Sequence, residues 1–174
     1  MLVTPALASV VETLTKVAAP WKHVYDDSKV LETAVVFVHL AALLVGGGIA
    51  LASDRATLRA ARGDATTRAR QLAELGLTHR VVILSLAVAF VSGVALFFTD
   101  VETFAGSAAF WIKMALVALL MLNGLLMTRA ESVLRRAPDG GDAAPWGRLR
   151  TTAVASGVLW LATLLAGVAL TNAS

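Results

Sequence analysis

Residues 33–52 read TAVVFVHLAALLVGGGIALA, twenty positions without a carboxylate, lysine or arginine. At about 1.5 Å of rise per residue, a helix of this length crosses a hydrocarbon core of about 30 Å. Lipid offers the backbone no hydrogen-bond partner, so a helix is what such a run must form. Segments 81–99, 114–128 and 151–172 repeat the pattern, the third extending outward to about residue 105 past a single Lys113. The chain of 174 residues is 57% hydrophobic with a mean hydropathy of +0.75. A soluble domain of that length has too much surface to be so apolar. The expected fold is all-α: a four-transmembrane-helix bundle in one domain over 1–174, with spans at about 31–53, 80–99, 105–128 and 150–172.

The charges orient this bundle. All eleven arginines fall in two loops: Arg55, Arg59, Arg62, Arg68, Arg70 and Arg80 after the first span, and Arg129, Arg135, Arg136, Arg148 and Arg150 after the third. The loop between spans two and three carries Asp100 and Glu102 and no basic residue. Basic loops stay in the cytoplasm, which places both termini on the non-cytoplasmic side of the membrane. Anionic lipid headgroups are the natural partners of these arginines, together with other membrane subunits or a second copy of the chain. The pI near 9.8 is thereby explained without nucleic acid. With no cysteine, thiolate metal sites and iron–sulfur clusters are excluded. The first fifteen residues contain no basic residue and Glu12 interrupts the early apolar run, so no signal peptide is expected.

The tail over 1–30 predicts a short amphipathic surface helix at 5–18, capped by Thr4 and ended by Pro20, with Val3, Leu7, Val10, Leu14 and Val17 on one side. Trp21, Tyr25, Trp111 and Trp146 fit interfacial anchors. Residues 137–145 read as a loop, and the first span is expected to continue as helix into the basic segment that follows it. Within the spans, Glu32, His39, Gly46 and Ser53 recur every seven residues, as do Thr78, Ser85, Ser92 and Thr99. Such stripes serve close helix packing, and Gly46–Gly47–Gly48 predicts a close crossing or a slight kink. A shift of 74 residues carries Arg55 onto Arg129, Arg62 onto Arg136 and His39 onto Lys113, as two related hairpins would.

Ionisable groups inside a span face the bundle interior or water and are functional candidates. His39 lies roughly 12 Å below the outer end of its span, and Lys113 should lie at a similar depth. The pair is expected to line one outer-leaflet pocket, with Trp111 and Thr163 beside it. The plainer readings are snorkelling for Lys113 and a hydrogen bond from His39 to a serine or threonine across the seam. His79 sits about 20 Å deeper, too far for one haem iron to bridge both histidines. His23 in the tail would be the alternative second ligand. Asn123, level with Ser85 and Ser156, reads as a hydrogen-bonding clamp. No nucleophile–base motif, phosphate loop or metal-spaced cluster occurs.

Glu32 through His39 to Asp54–Arg55, then Ser92–Gly93 with Leu96–Phe97, then Phe110–Trp111–Ile112–Lys113, resembles a group of uncharacterised bacterial four-helix inner-membrane proteins. The skeleton is similar to J-type protoporphyrinogen oxidases and, more loosely, to copper-resistance D-type membrane domains, over about residues 30–130. The resemblance implies that His39, Lys113 and the adjoining Trp111 bind a porphyrin or haem. It departs after the first span, where Ser53–Asp54–Arg55–Ala56 stands in place of the oxidases' aromatic- and arginine-rich stretch, so haem binding is carried over and oxidase activity is not. The expected function is an accessory or structural subunit of a larger membrane complex without evident catalysis. The alternative is a b-type haem or porphyrin-binding redox protein using His39. A transporter is disfavoured, because no span is broken and no acidic relay crosses the membrane.

Overall fold

Ser28 marks the end of the tail: its hydroxyl accepts the Leu31 N–H at 3.3 Å and caps the helix that follows. The computed structural model describes residues 5–136 and 143–173, which form six helices with no strand among them. They are α1 (Pro5–Asp26), α2 (Lys29–Ala60), α3 (Ala65–Phe97), α4 (Val101–Gly106), α5 (Ala108–Arg136) and α6 (Ala143–Ala173). Four are long and apolar enough to cross a membrane: α2, α3, α5, and α6 over Pro145–Leu170. This is an integral membrane bundle. Asp64 caps α3 by accepting the Thr67 N–H at 2.8 Å, and that bond holds its carboxyl below the usual carboxylate range. Asp100 caps the short α4 through the Thr103 N–H at 3.2 Å.

The long helices pair into two hairpins, α2 with α3 and α5 with α6, and α2 also packs against α6. Side chains from α3 and α5 meet at both ends and close the ring. The spanning helices hold 29 to 33 residues, or about 43–50 Å at the helical rise, so each overhangs a 30 Å hydrocarbon core. The overhang lies at the arginine-rich end. There the first span does continue as helix, to Ala60, and an apolar cluster forms from Ala60, Leu72, Leu75, Met127, Ala130, Leu134, Trp146 and Leu149. Leu75 and Leu149 are completely buried. Burying a leucine contributes about 1.5–3 kcal/mol where water is the alternative, a driving force that lipid does not supply between spans. Within the spans packing is sparser, centred on Ala50, Leu120 and Trp160, and leucines and valines cover the outside.

Gly46 is a point of close approach between α2 and α3. A β-carbon there would stand 2.8 Å from Ser85 Cβ, and one on Gly47 3.1 Å from the Trp160 ring of α6. The close crossing expected at the glycine run is therefore present at two of its members. Gly48 faces open space.

Three local expectations need correction. Pro20 does not end the first helix, which runs 22 residues to Asp26. Proline removes one N–H but leaves the remaining ladder, and tertiary bonds hold the second half. Trp21 Nε1 donates to the Ala95 carbonyl at 2.8 Å and Lys22 Nζ to the Thr99 carbonyl at 2.8 Å, both at the end of α3. The side of α1 turned inward carries Ala18 and Tyr25, which are buried, while Val10, Val17 and Val24 stay exposed. Thr4 and Val3 lie outside the described residues. Second, Trp146 is not an interfacial anchor: 2% exposed, it fills the basal cluster beneath the Arg68 guanidinium, 5.5 Å from its ring centroid. Tyr25 is likewise buried. Third, the loop expected at 137–145 is shorter, because α6 begins at Ala143 with Pro145 in its first turn, where a missing N–H costs little. Residues 137–142 lie outside the described residues.

Candidate functional site

The halves of the two hairpins away from the arginine-rich end each turn one basic side chain inward. On α2, the seven-residue stripe brings His39 against α3, where Nδ1 lies 3.0 Å from Ser92 Oγ. Ser92 directs its own hydroxyl proton to the Val88 carbonyl at 2.7 Å, with the Ala89 carbonyl at 3.2 Å. With the serine proton so directed, its lone pair faces Nδ1, and the tautomer carrying the proton on Nδ1 satisfies both groups. A neutral imidazole with its proton on Nδ1 carries a lone pair on Nε2. The ring also passes over Gly93, whose missing side chain makes room: a β-carbon there would lie 3.2 Å from Cε1.

Lys113 does the same on α5. Its Nζ lies over Gly167 of α6, 3.7 Å from a would-be β-carbon, rather than snorkelling away along the outside. Among the described residues the ammonium makes no hydrogen bond or ion pair, and it lies within electrostatic reach of the His39 imidazole. Thr163, one turn deeper on α6, is 6% exposed and its hydroxyl has no partner. Trp111 packs edge-on against Phe110, with centroids 5.4 Å apart. It is half exposed on another face of α5, donating from Nε1 to the Ala105 carbonyl at 3.0 Å.

Outward of the pair lies a cluster that the sequence reading did not assemble. Phe97 at the end of α3 stacks on Phe110 of α5 with centroids 5.3 Å apart, and Phe104 of α4 packs against both at 6.3 and 5.9 Å. Phe110 stands one turn before Lys113, and Phe97 follows Ser92 by five residues. The aromatic rings therefore lie beyond the histidine and lysine, toward the end away from the arginines.

The remaining buried polar groups form a second arrangement near the arginine-rich end, one link per helix contact. Gln71 Nε2 of α3 donates to Thr57 Oγ1 of α2 at 3.1 Å. Asp54 of α2 accepts from the Ser156 hydroxyl of α6, while its Oδ2 is buried without a partner. Asn123 of α5 donates to the Thr152 carbonyl of α6 at 2.9 Å, the clamp expected of it. His79 Nδ1 of α3 lies 2.9 Å from Glu131 Oε2 of α5; Arg135 Nε donates to Glu131 Oε1 at 2.7 Å and reaches the Leu72 carbonyl with Nη2. His79 is thus tied to a carboxylate at the opposite end from His39. His23 is exposed on α1 and paired with Asp27 at 2.7 Å. His79 is not placed to share a ligand with His39.

Sequence reasoning missed Glu131 and Arg135 because both lie past the span, in a segment read as charged loop. The available signal was their spacing of four beside the apolar stripe Met127, Ala130 and Leu134. No group of three or more potential metal-ligating side chains occurs among the described residues. Comparison of the chain with protein-family models, with characterised proteins and with solved structures finds no match.

Proposed function

We propose that this membrane protein, in the inner membrane of a bacterium, carries a b-type haem or a porphyrin at His39 and Lys113, in the leaflet nearer its termini. The observation that most supports this reading is the state of His39. Ser92 Oγ, 3.0 Å from Nδ1, orients the ring, and with the proton on Nδ1 the lone pair sits on Nε2, the arrangement by which ligating histidines are usually held. Lys113 supplies an unpaired cation at the same level, suited to a propionate, and the phenylalanine cluster suits a flat macrocycle. The donor chemistry fits the group. A bound haem would supply one-electron redox chemistry; the protein's own contribution is to orient the imidazole, neutralise a carboxylate and exclude water with Phe97, Phe104 and Phe110.

Room is the harder requirement. The described clefts of about 470 and 590 Å³ are lined by neither His39 nor Lys113. The hydrogen bonds and ion pairs between the two hairpins, Asp54–Ser156 and His79–Glu131–Arg135, lie toward the arginine-rich end. At the outer end the contact above the pair is the stack of Phe97 on Phe110, which can slide without breaking a polar bond. Parting the outer ends is how a ligand would gain the space.

A second reading, an accessory or structural subunit of a larger assembly without catalysis, is favoured by one specific observation. The His39–Ser92 bond is also what a packing seam needs, and the polar links nearer the basic end already join each neighbouring pair of helices.

An absorption spectrum of gently extracted native protein separates the two. The expected result is a Soret band that vanishes or shifts in His39→Ala, weakens in Lys113→Ala and survives His79→Ala. A colourless, folded wild-type protein would sink the haem reading. In that case migration as a particle larger than one chain supports the subunit reading, and a lone 18.1 kDa chain counts against it.

A further inference from the structure

We infer that the cleft between α5 and α6 at the arginine-rich end is a binding site for one anionic phospholipid, its phosphate held by Arg129 and Arg148. The cleft measures about 590 Å³, and its lining includes Leu126, Val133, Pro145 and Gly147 beside the two arginines. Three other arginines at this end are already engaged. Arg135 is bound to Glu131 and the Leu72 carbonyl, Arg70 to Glu74, and Arg68 to the Ala61 carbonyl and the Trp146 face. Arg129 and Arg148 make no side-chain hydrogen bond or ion pair to any described residue, although they flank one cleft from two helices. Two guanidiniums lining one cleft from two helices suit a phosphate diester, which each can hold through paired N–H donors.

The apolar wall decides between a lipid and a free phosphate. Leu126 belongs to the spanning part of α5, three residues before Arg129 on its bilayer side, and is exposed. A molecule held at the arginines therefore continues along an apolar surface into the bilayer, as an acyl chain does and an inorganic ion does not. Gly147 leaves the lip of the cleft open, with nothing within 4 Å of where its β-carbon would be. The internal repeat supplies an independent contrast. The shift of 74 residues that carries Arg55 onto Arg129 puts Glu74 where Arg148 stands. Glu74 pairs with Arg70 at 3.1 Å, so the first hairpin has an acid at the position where the second has a free base. The doubly basic cleft is a property of one hairpin alone.

Native mass spectrometry of the whole protein in mild detergent tests this, with phosphatidylglycerol, phosphatidylcholine of the same chains, or inorganic phosphate added. Phosphatidylglycerol should be retained in preference to phosphatidylcholine. Arg129→Gln with Arg148→Gln should weaken that retention about thirtyfold, the combined effect of two interfacial arginines. Arg59→Gln with Arg62→Gln removes the same charge elsewhere and should change nothing. Arg148→Glu, which copies the first hairpin at an exposed position, should also abolish the preference and gives a reading if the double variant folds poorly. Equal losses from the two pairs, equal retention of the two lipids, or displacement of phosphatidylglycerol by inorganic phosphate would each overturn the inference.

Discussion

The ammonium of Lys113 rests over Gly167, with Nζ 3.7 Å from where a β-carbon on that glycine would stand. His39 rests over Gly93 in the same manner, its Cε1 at 3.2 Å. One shift of 74 residues carries the histidine onto the lysine and the first glycine onto the second, and also Leu75 onto Leu149, both fully buried. The hairpins thus repeat one plan: a basic side chain on the leading helix laid over a glycine on the returning one. They differ in how tightly it is executed.

That difference is testable with alanine at both glycines. Gly93→Ala forces the imidazole to give by a few tenths of an ångström and lengthens its bond to Ser92, at a cost of about 1 kcal/mol. Gly167→Ala meets only an ordinary contact and gains helix propensity, so it should be neutral or stabilising by up to about 1 kcal/mol. Thermal denaturation in mild detergent compares them. Equal destabilisation would show that the two sites are not packed as described.

The glycine run of α2 makes a sharper contrast within three residues. Gly46→Ala puts a β-carbon 2.8 Å from Ser85 Cβ, a distance real side chains do not adopt, and the helices must separate. The expected loss is about 1–3 kcal/mol, as for overpacking generally. Gly48→Ala enters open space and should gain roughly 0.5–1 kcal/mol. Reversed signs would place the α2–α3 seam on the wrong face of α2.

Much of this bundle was legible in the sequence, for reasons that explain what was not. Hydropathy and length mark a span because lipid excludes every alternative backbone, and a seven-residue stripe marks an inward face because helical geometry fixes it. His39, Gly46 and Ser92 followed from those two rules. The carboxylates did not. Asp54 and Glu131 sit where the helices leave the membrane, and in that zone a charge reads equally well as solvated or as buried and paired. Only the partner helix decides, and Ser156 and His79 lie far away in sequence. Trp146 was misjudged similarly: its position near a span end suggested an anchor, but the overhanging helices build a water-driven core there and draw the indole in. Pro20 misled because the bonds that carry α1 past it come from Trp21 and Lys22 to another helix.

Orientation rests on the arginines. Cysteines at Thr66 and Gly147, both exposed at the arginine-rich end, should resist an impermeant thiol reagent in intact cells, whereas one at exposed Gly106 should label. The chain has no native cysteine to confuse the result. Labelling at Thr66 and Gly147 with protection at Gly106 would invert the protein in the membrane.

Glu131 offers the most informative single position, because it separates what holds the bundle from what the bundle does. Its carboxylate is 8% exposed and joins α3 to α5 through His79 at 2.9 Å and Arg135 at 2.7 Å. Glu131→Gln keeps the volume and removes the charge; one neighbour loses an acceptor, and the bundle should lose about 1–3 kcal/mol. Arg135 retains access to water and can rehydrate, which keeps the cost below that of stranding a fully buried charge. Arg135→Met alone should also destabilise, since the Leu72 carbonyl loses its donor. If the three residues act as one unit, the double variant costs less than the two single losses combined, with a coupling of about 0.5–3 kcal/mol. Strict additivity would mean the ion pair is incidental. None of these changes should alter a Soret band assigned to His39, because the network lies at the other end of the helices. A spectral shift in Glu131→Gln would instead link the two ends, and the outer site could no longer be treated as independent of the polar links beneath it.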